Sequence, residues 1–371
     1  MSSSTLGASL VKKNYSVLVP GAIPASYARA RRAYVNLYYA RNGRKLSVAE
    51  KKKSAKQMRI FLKNFTYTGV ADGEADRIEF TLVNSDWRWM RAWMPRKKDK
   101  ITATIRMSAW KKGERKKAFP CGTFLIDSLG MEGPELTCTV GATSIPEASS
   151  FRATERDKSW KKVTLQEVAK KIAAKYKMDL VFDGDDFSVG TVEQNGQTDC
   201  DFLSSLCREY AYGIKMFKGK LIIYSKAKYE AKKAVGSIKR SMLLDFSWET
   251  NIAGTYTGAK MKYTAQESDE ETVVKVGKGN RWLTVTGNAD SIGQAKRKTR
   301  AALNTENEKT TTLSVTIRGN TKFCETDTVQ IRNLYRLNGK YFVDQVEHSL
   351  DGMNGFTTRL TMHKVQRKVK G

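Results

Sequence analysis

Apolar and polar residues alternate with period two along short stretches of this chain, give way to a 3.6-residue period near its middle, and then return to period two. The opening part predicts a strand at Ala33–Tyr39. Ser47-Val48-Ala49-Glu50 is a capping box that opens a short charged helix to about Gln57. A strand is expected from Met58 to Thr68, with Phe61, Phe65 and Tyr67 on one side and Leu62, Asn64 and Thr66 on the other. Further strands are expected at Arg77–Leu82, Ile101–Met107, Gly122–Leu129 and Leu136–Val140. Short strands at this spacing suggest a small sandwich or barrel.

From about Arg152 the period becomes helical. Thr164-Leu165-Gln166-Glu167 is a second capping box, and Leu165, Val168, Ala169, Ile172, Ala173 and Tyr176 make one apolar face. Leu180–Phe182 reads as a strand, Thr198–Asp201 as the start of a helix burying Phe202, Leu203, Leu206 and Tyr210, and Ile214–Tyr224 as a hairpin. Lys226–Lys233 reads as a charged linker. Strands return at Met242–Trp248 and Tyr256–Tyr263, with Glu267–Glu271 as an acidic loop. Ser291 caps a helix with Ile292, Ala295, Thr299 and Ala302 on one face. Strands at Thr311–Ile317, Thr328–Ile331, Lys340–His348 and Phe356–His363 close the chain.

One pattern recurs between these two strand-rich regions. Gly122-Thr123-Phe124-Leu125-Ile126-Asp127-Ser128-Leu129 and Gly339-Lys340-Tyr341-Phe342-Val343-Asp344-Gln345-Val346 share glycine, aromatic, branched, aspartate and aliphatic positions. Around them, Ile78, Phe80 and Leu82 correspond to Leu313, Val315 and Ile317, and Asp99-Lys100-Ile101 to Asp327-Thr328-Val329. The expected fold is therefore α+β and mainly β: two strand-rich domains of similar topology, each a small sandwich or barrel, with a small α+β domain between them. The expected divisions are a basic arm over residues 1–31, a first barrel over 32–150, the α+β domain over 151–233 and a second barrel over 234–371.

The net charge of +28 is uneven, since residues 1–60 hold 13 basic side chains and one acidic. Such an excess suits phosphate contact, or docking on an acidic protein partner. A basic nucleic-acid-binding protein is the alternative reading, although no recognition-helix, zinc-finger or RNP pattern is present. No apolar run approaches the ~20 residues that span a bilayer, so membrane insertion is not expected. Five cysteines without a C-x-x-C look reduced rather than disulfide-paired or zinc-binding.

Catalytic chemistry finds little footing. The chain has two histidines, His348 and His363, and no metalloprotease, nucleophile-elbow or phosphate-loop motif. A Cys324–His348 pair reads as a buried cysteine and a strand histidine. Asp183, Asp185 and Asp186 lack the spacing of a calcium loop and read as a solvated turn. Asp127 and Asp344 lie inside apolar strands and read as structural, satisfied by backbone N–H groups or a basic partner. No enzyme activity, cofactor or metal is expected. Trp87, Trp89 and Trp93, with Arg88 and Arg91, could stack on bases; a subunit interface, joined by Arg31 and Arg32, is the favoured expectation.

At this point the residues resemble a known family. Gln194-x-x-x-Thr198-Asp199-x-x-Phe202-Leu203-x-x-Leu206-x-x-Glu209-x-x-x-Gly213 resembles a motif of the phage late control gene D family, the baseplate hubs of contractile tails. That family is similar to the hub part of type VI secretion VgrG spikes. Asn64–Asp76, Trp89 and Trp93-Met94-Pro95 ahead of Lys98-Asp99-Lys100 look like the first barrel of such hubs; Asn251–Ala259 and Gly339–Val346 look like the second. The resemblance spans roughly residues 32–365. It implies two tube-like β-barrel domains of similar topology in each chain, and a homotrimer at the baseplate of a phage tail or phage-tail-like particle, assembled in the bacterial cytoplasm. There it would join a sixfold tail tube to a threefold spike, beside the tape measure and other baseplate proteins. The arm before Arg31 has no obvious family counterpart, and a fused spike or cell-wall hydrolase is not expected after Gly371.

Overall fold

The computed structural model describes residues 32–96, 99–108, 117–144, 150–217, 219–251, 255–264, 271–352 and 355–366. The expected arm, with Arg31, lies outside them, as does most of the acidic loop.

The first strand-rich region comprises β1 (Arg32–Ala40), α1 (Val48–Phe61), β2 (Leu62–Val70), β3 (Arg77–Val83), β4 (Lys100–Ser108), β5 (Lys117–Glu132) and β6 (Thr137–Thr143). The Ser47–Glu50 capping box forms as expected. The helix, however, continues through Met58 to Phe61, where a strand was expected. Ala55, Met58 and Phe61 are spaced three apart, and all three are buried by the helix.

The middle region comprises α2 (Ser150–Ala153), β7 (Glu155–Thr164), α3 (Leu165–Lys175), β8 (Asp179–Asp183), β9 (Ser188–Thr198), α4 (Asp199–Glu209), β10 (Tyr212–Phe217), β11 (Lys220–Ser225) and α5 (Lys226–Ala231). Helices α3 and α4 bury their expected faces in a separate core with Ile214, Leu221 and Ile223. Two features differ from expectation. β7 and β9 pair as a ribbon, and the charged stretch after Ser225 is helical, capped by the Ser225 hydroxyl and burying Glu230.

The last region comprises β12 (Gly236–Lys239), β13 (Leu243–Thr250), β14 (Gly258–Thr264), β15 (Glu271–Gly277), β16 (Trp282–Val285), α6 (Ile292–Glu308), β17 (Thr311–Arg318), β18 (Thr328–Arg332), β19 (Gly339–Asp351) and β20 (Gly355–Lys364). β14, β15 and β16 form a small sheet of their own under α6. Ile292 was expected on the inner face of α6 but is 54% exposed; Ala295 and Thr299 are buried there.

The mainly β architecture and the repeat are both present. The first region is ordered β1-β4-β5-β6-β3-β2, and the last β12-β18-β19-β20-β17-β13. These are the same topology, strand for strand. One pairing differs, since β1 runs antiparallel to β4 while β12 runs parallel to β18. The barrels themselves need correction. Both regions belong to one 12-stranded sheet, because β2 pairs with β19 instead of with its own β1. Among the described residues no pairing links β1 to β2 or β12 to β13, so neither copy closes on itself. A single apolar core, from Val35 to Met362, fills the space inside both.

Candidate functional site

The place where the two copies meet is built by a β-bulge, and the repeat carries that bulge twice. In β5 the register against β6 shifts between Ile126 and Ser128, so Asp127 is the extra residue. In β19 it shifts between Val343 and Gln345, so Asp344 is. A bulge reverses which side the following residues face. Val343 and Val346 are therefore both buried although they are three apart. The repeated sequence pattern is the signature of this device. Its glycines, Gly122 (φ +126°) and Gly339 (φ +153°), take backbone angles that favour glycine. The preceding strands enter alike: the Ile126 N–H donates to Asp99 O at 3.0 Å and the Val343 N–H to Asp327 O at 2.8 Å. Asp99 and Asp327 in turn accept the N–H groups of Arg96 and Cys324 at 2.8 and 2.9 Å.

Beyond its bulge β19 leaves β18 and takes β2 as its neighbour, with Val346 opposite Gly69, His348 opposite Tyr67 and Leu350 opposite Phe65. His348 stacks on Tyr67 at 6.1 Å and 19°, and its Nδ1 lies 2.9 Å from Thr358 Oγ1. Burial pushes its pKa down to about 4, so it is neutral at physiological pH. The other face of this joint is hydrophilic. Thr66, Thr68, Glu74, Arg77, Glu79 and Glu347 line a groove of about 460 Å³.

A buried lysine locks the middle region onto the joint. Lys215 of β10 donates to Val70 O at 2.9 Å and lies 2.5 Å from Asp76 Oδ1 and 2.8 Å from Glu325 Oε1. Asp76 also accepts the Val70 N–H at 3.1 Å and the Tyr67 hydroxyl at 3.2 Å. Two carboxylates share one cation here. Burial, with Asp76 adding to it, raises the Glu325 pKa against the pull of Lys215. Around this centre Tyr224 donates to Ala71 O at 2.9 Å, Lys226 pairs with Asp72 at 2.7 Å, and the Ala71 N–H donates to Asp344 O at 2.8 Å. Sequence reasoning missed this triad; a lysine within an otherwise apolar strand, Ile214-Lys215-Met216, was the available signal.

The residues singled out from sequence are not brought to one place. Trp89 is buried in its own core, its indole N–H donating to Val83 O at 3.1 Å and its ring meeting Trp93 edge-on at 5.3 Å. Arg88 lies over the Phe61 ring at 4.2 Å and pairs with Asp86. Trp87, at 45% exposure, and Arg91 face solvent. Arg32 opens β1 opposite Ser108. Asp127 is exposed, whereas Asp344 accepts a hydrogen bond from His363 Nδ1 at 2.8 Å, the basic partner expected for it. The Gln194–Asp199 stretch ties down the start of α4: the Thr198 hydroxyl caps the helix by accepting the Asp201 N–H at 3.1 Å, Gln194 Nε2 and Tyr176 Oη donate to Asp199 at 2.9 and 2.6 Å, and Lys175 pairs with Asp199 at 2.6 Å.

Ligating atoms of Glu230, Glu308 and His363 lie within 4.8 Å of one another. Burial disfavours the His363 imidazolium, but its hydrogen bond to Asp344 and the Glu230 carboxylate 3.8 Å from Nε2 outweigh it and hold the pKa near 10. The charged imidazolium thus supplies the positive charge at this spot. The Cys324 thiol is pushed up to about 12 by burial and by Glu325. With His348 neutral and tied to Thr358, the two do not make an activated pair.

No family model matches this chain, and no curated protein does. Solved structures do. A tail protein from Neisseria meningitidis MC58 superposes with a TM-score of 0.63 at 13% identity, over 89% of this chain and 96% of that one. The 43 kDa tail protein of prophage MuSo2 from Shewanella oneidensis gives 0.63 at 11%, over 89% and 98%. The E. coli c3393 protein, described as a component of the type VI secretion system with structural similarity to the T4 tail proteins gp27 and gp5, gives 0.54 at 9%, over 84% and 75%. At these identities the likeness is one of fold: the chain has the architecture of phage tail proteins and of a type VI secretion component.

Proposed function

We propose that the chain is a structural hub at the baseplate of a contractile phage tail or phage-tail-like particle, joining a sixfold tail tube to a threefold spike. The observation that carries this reading is the repeat: two copies of one six-strand topology, fused edge to edge in one chain. Three such chains in a ring would present six similar modules to one neighbour and threefold symmetry to the other. The shared fold of the tail proteins and the type VI secretion component supports the same role. Its partners would be two further copies of itself, the tube, the spike, the tape measure and other baseplate proteins, in a particle assembled in the bacterial cytoplasm.

The work is assembly, not catalysis. Histidines 348 and 363 are held in structural contacts, and Cys324 is kept protonated by burial. The tryptophan segment would meet a neighbour through Trp87 and Arg91, with Trp89, Trp93 and Arg88 anchoring it from within. The units that assemble would be residues 32–150, 151–233 and 234–371, and the basic arm would dock on an acidic partner. The experiment is the mass of the purified chain mixed with its tube and spike proteins. Three copies per complex are expected; a strict monomer in their presence contradicts the reading. Tight binding to nucleic acid with a steep salt dependence would favour the alternative.

A further inference from the structure

The outer edge of β2 is used once, against the second half of β19, and the repeat provides a second copy of each edge. β13 corresponds to β2. Each is shifted in register one residue after its start, between Leu62 and Asn64 and between Leu243 and Asp245. Opposite β3 and β17, Phe65 and Tyr67 occupy the places that Phe246 and Trp248 occupy. The stretch Ser128–Glu132 of β5 corresponds to Gln345–Ser349 of β19, each following its bulged aspartate.

The matching edges differ in what covers them. Among the described residues β13 pairs with β17 alone, and Ser128–Glu132 with β6 alone. Phe65 and Tyr67 are 0% and 1% exposed, but Phe246 and Trp248 are 48% and 43%. Val346 is fully buried, while its counterpart Leu129 is 38% exposed. A strand edge carrying three large exposed apolar residues, Leu244, Phe246 and Trp248, is one that folded proteins ordinarily blunt or cover.

We propose that β13 of one copy of this chain pairs antiparallel with the Ser128–Glu132 edge of the next copy, in the register of the β2–β19 joint. That register sets Thr250 opposite Leu129, Glu249 opposite Gly130, Trp248 opposite Met131 and Ser247 opposite Glu132. The proposal rests on the hub reading and names its chain-to-chain contact. The occupant is a second copy because the same sequence carries both complementary edges and already joins their equivalents internally. Strand addition satisfies the open backbone groups of both edges, and Met131 gives Trp248 a sulfur–aromatic contact in place of the His348–Tyr67 stack. The two edges are different surfaces, so the contact is head to tail and propagates until a ring closes. Every joint around the ring, within or between chains, would then have one geometry.

The test uses the full chain with paired cysteines. Leu129→Cys with Thr250→Cys should give a covalent ladder ending at the closed ring on mild oxidation. Gly130→Cys with Thr250→Cys, slipped by one residue, should give none, because a one-residue slip turns a side chain to the opposite face. Trp248→Glu should leave the melting of the isolated chain unchanged and weaken self-association at least tenfold. If the chain assembles with its partners but the in-register pair does not link, or links to another protein, the seam is overturned and the hub reading survives. If nothing assembles and nothing links, both fall.

Discussion

Strands β2 and β13 are one design used twice, with aromatic residues at matching places and a bulge at the same step. In β2 the aromatics lie in the core; in β13 they stand at the surface. Residue pattern alone therefore does not decide burial. β2 has β19 along its edge and a lysine-centred triad over its end; among the described residues β13 has neither. The difference separates residues that stabilise the single chain from residues that serve assembly.

The largest way to break this contrast is to remove the lock on the filled joint. Lys215→Met would leave the Asp76 and Glu325 charges buried and unpaired, at a cost of about 3–5 kcal/mol in urea unfolding. Adding Glu325→Gln should recover part of it. Phe65→Ala removes a fully buried ring and should cost about 3–5 kcal/mol in the same assay.

A change in pH should act on the same joint. His348 titrates near 4 in the folded chain against 6.5 for the free group, so the unfolded chain binds the proton first on acidification. The stability is complete above pH 6.5 and is lost as pH falls toward 4, by roughly 3 kcal/mol at most. His348→Gln should flatten that acid limb of a melting-temperature profile. His363 carries the opposite sign: with its folded pKa near 10, its contribution is present below 6.5 and disappears as pH rises to 10. His363→Gln should flatten the alkaline limb and leave the acid one in place.

The smallest effect is the sharpest. Phe246→Ala should change the stability of the isolated chain by no more than about 0.5 kcal/mol, although its counterpart in β2 is among the costliest residues to truncate. Equal losses for Phe65→Ala and Phe246→Ala would end the comparison.

Much of this was legible in the sequence because it is local. The twin glycine-to-aspartate pattern marked matching strands, and its three-residue spacing from Val343 to Val346 is a bulge written in sequence. The capping boxes at Ser47 and Thr164 form as read. What stayed hidden is long-range or lacks apolar alternation. The β7–β9 ribbon is mostly polar and exposed, so period two left no mark on it. Met58–Phe61 reads as strand because Phe61, Phe65 and Tyr67 are close in sequence, yet the helix claims Phe61. No periodicity tells β2 to choose β19 over β1, and that choice turns two expected barrels into one sheet.

Hydrogen exchange, measured on the chain alone and in its assembly, tests the central claim most directly. In the isolated chain the amides of Phe65–Val70 should be slow, and the edge amides of Leu243–Thr250 and Ser128–Glu132 fast. On assembly the latter two segments should slow together to match the first. Assembly that leaves both segments exchanging as they do in the free chain would contradict the account.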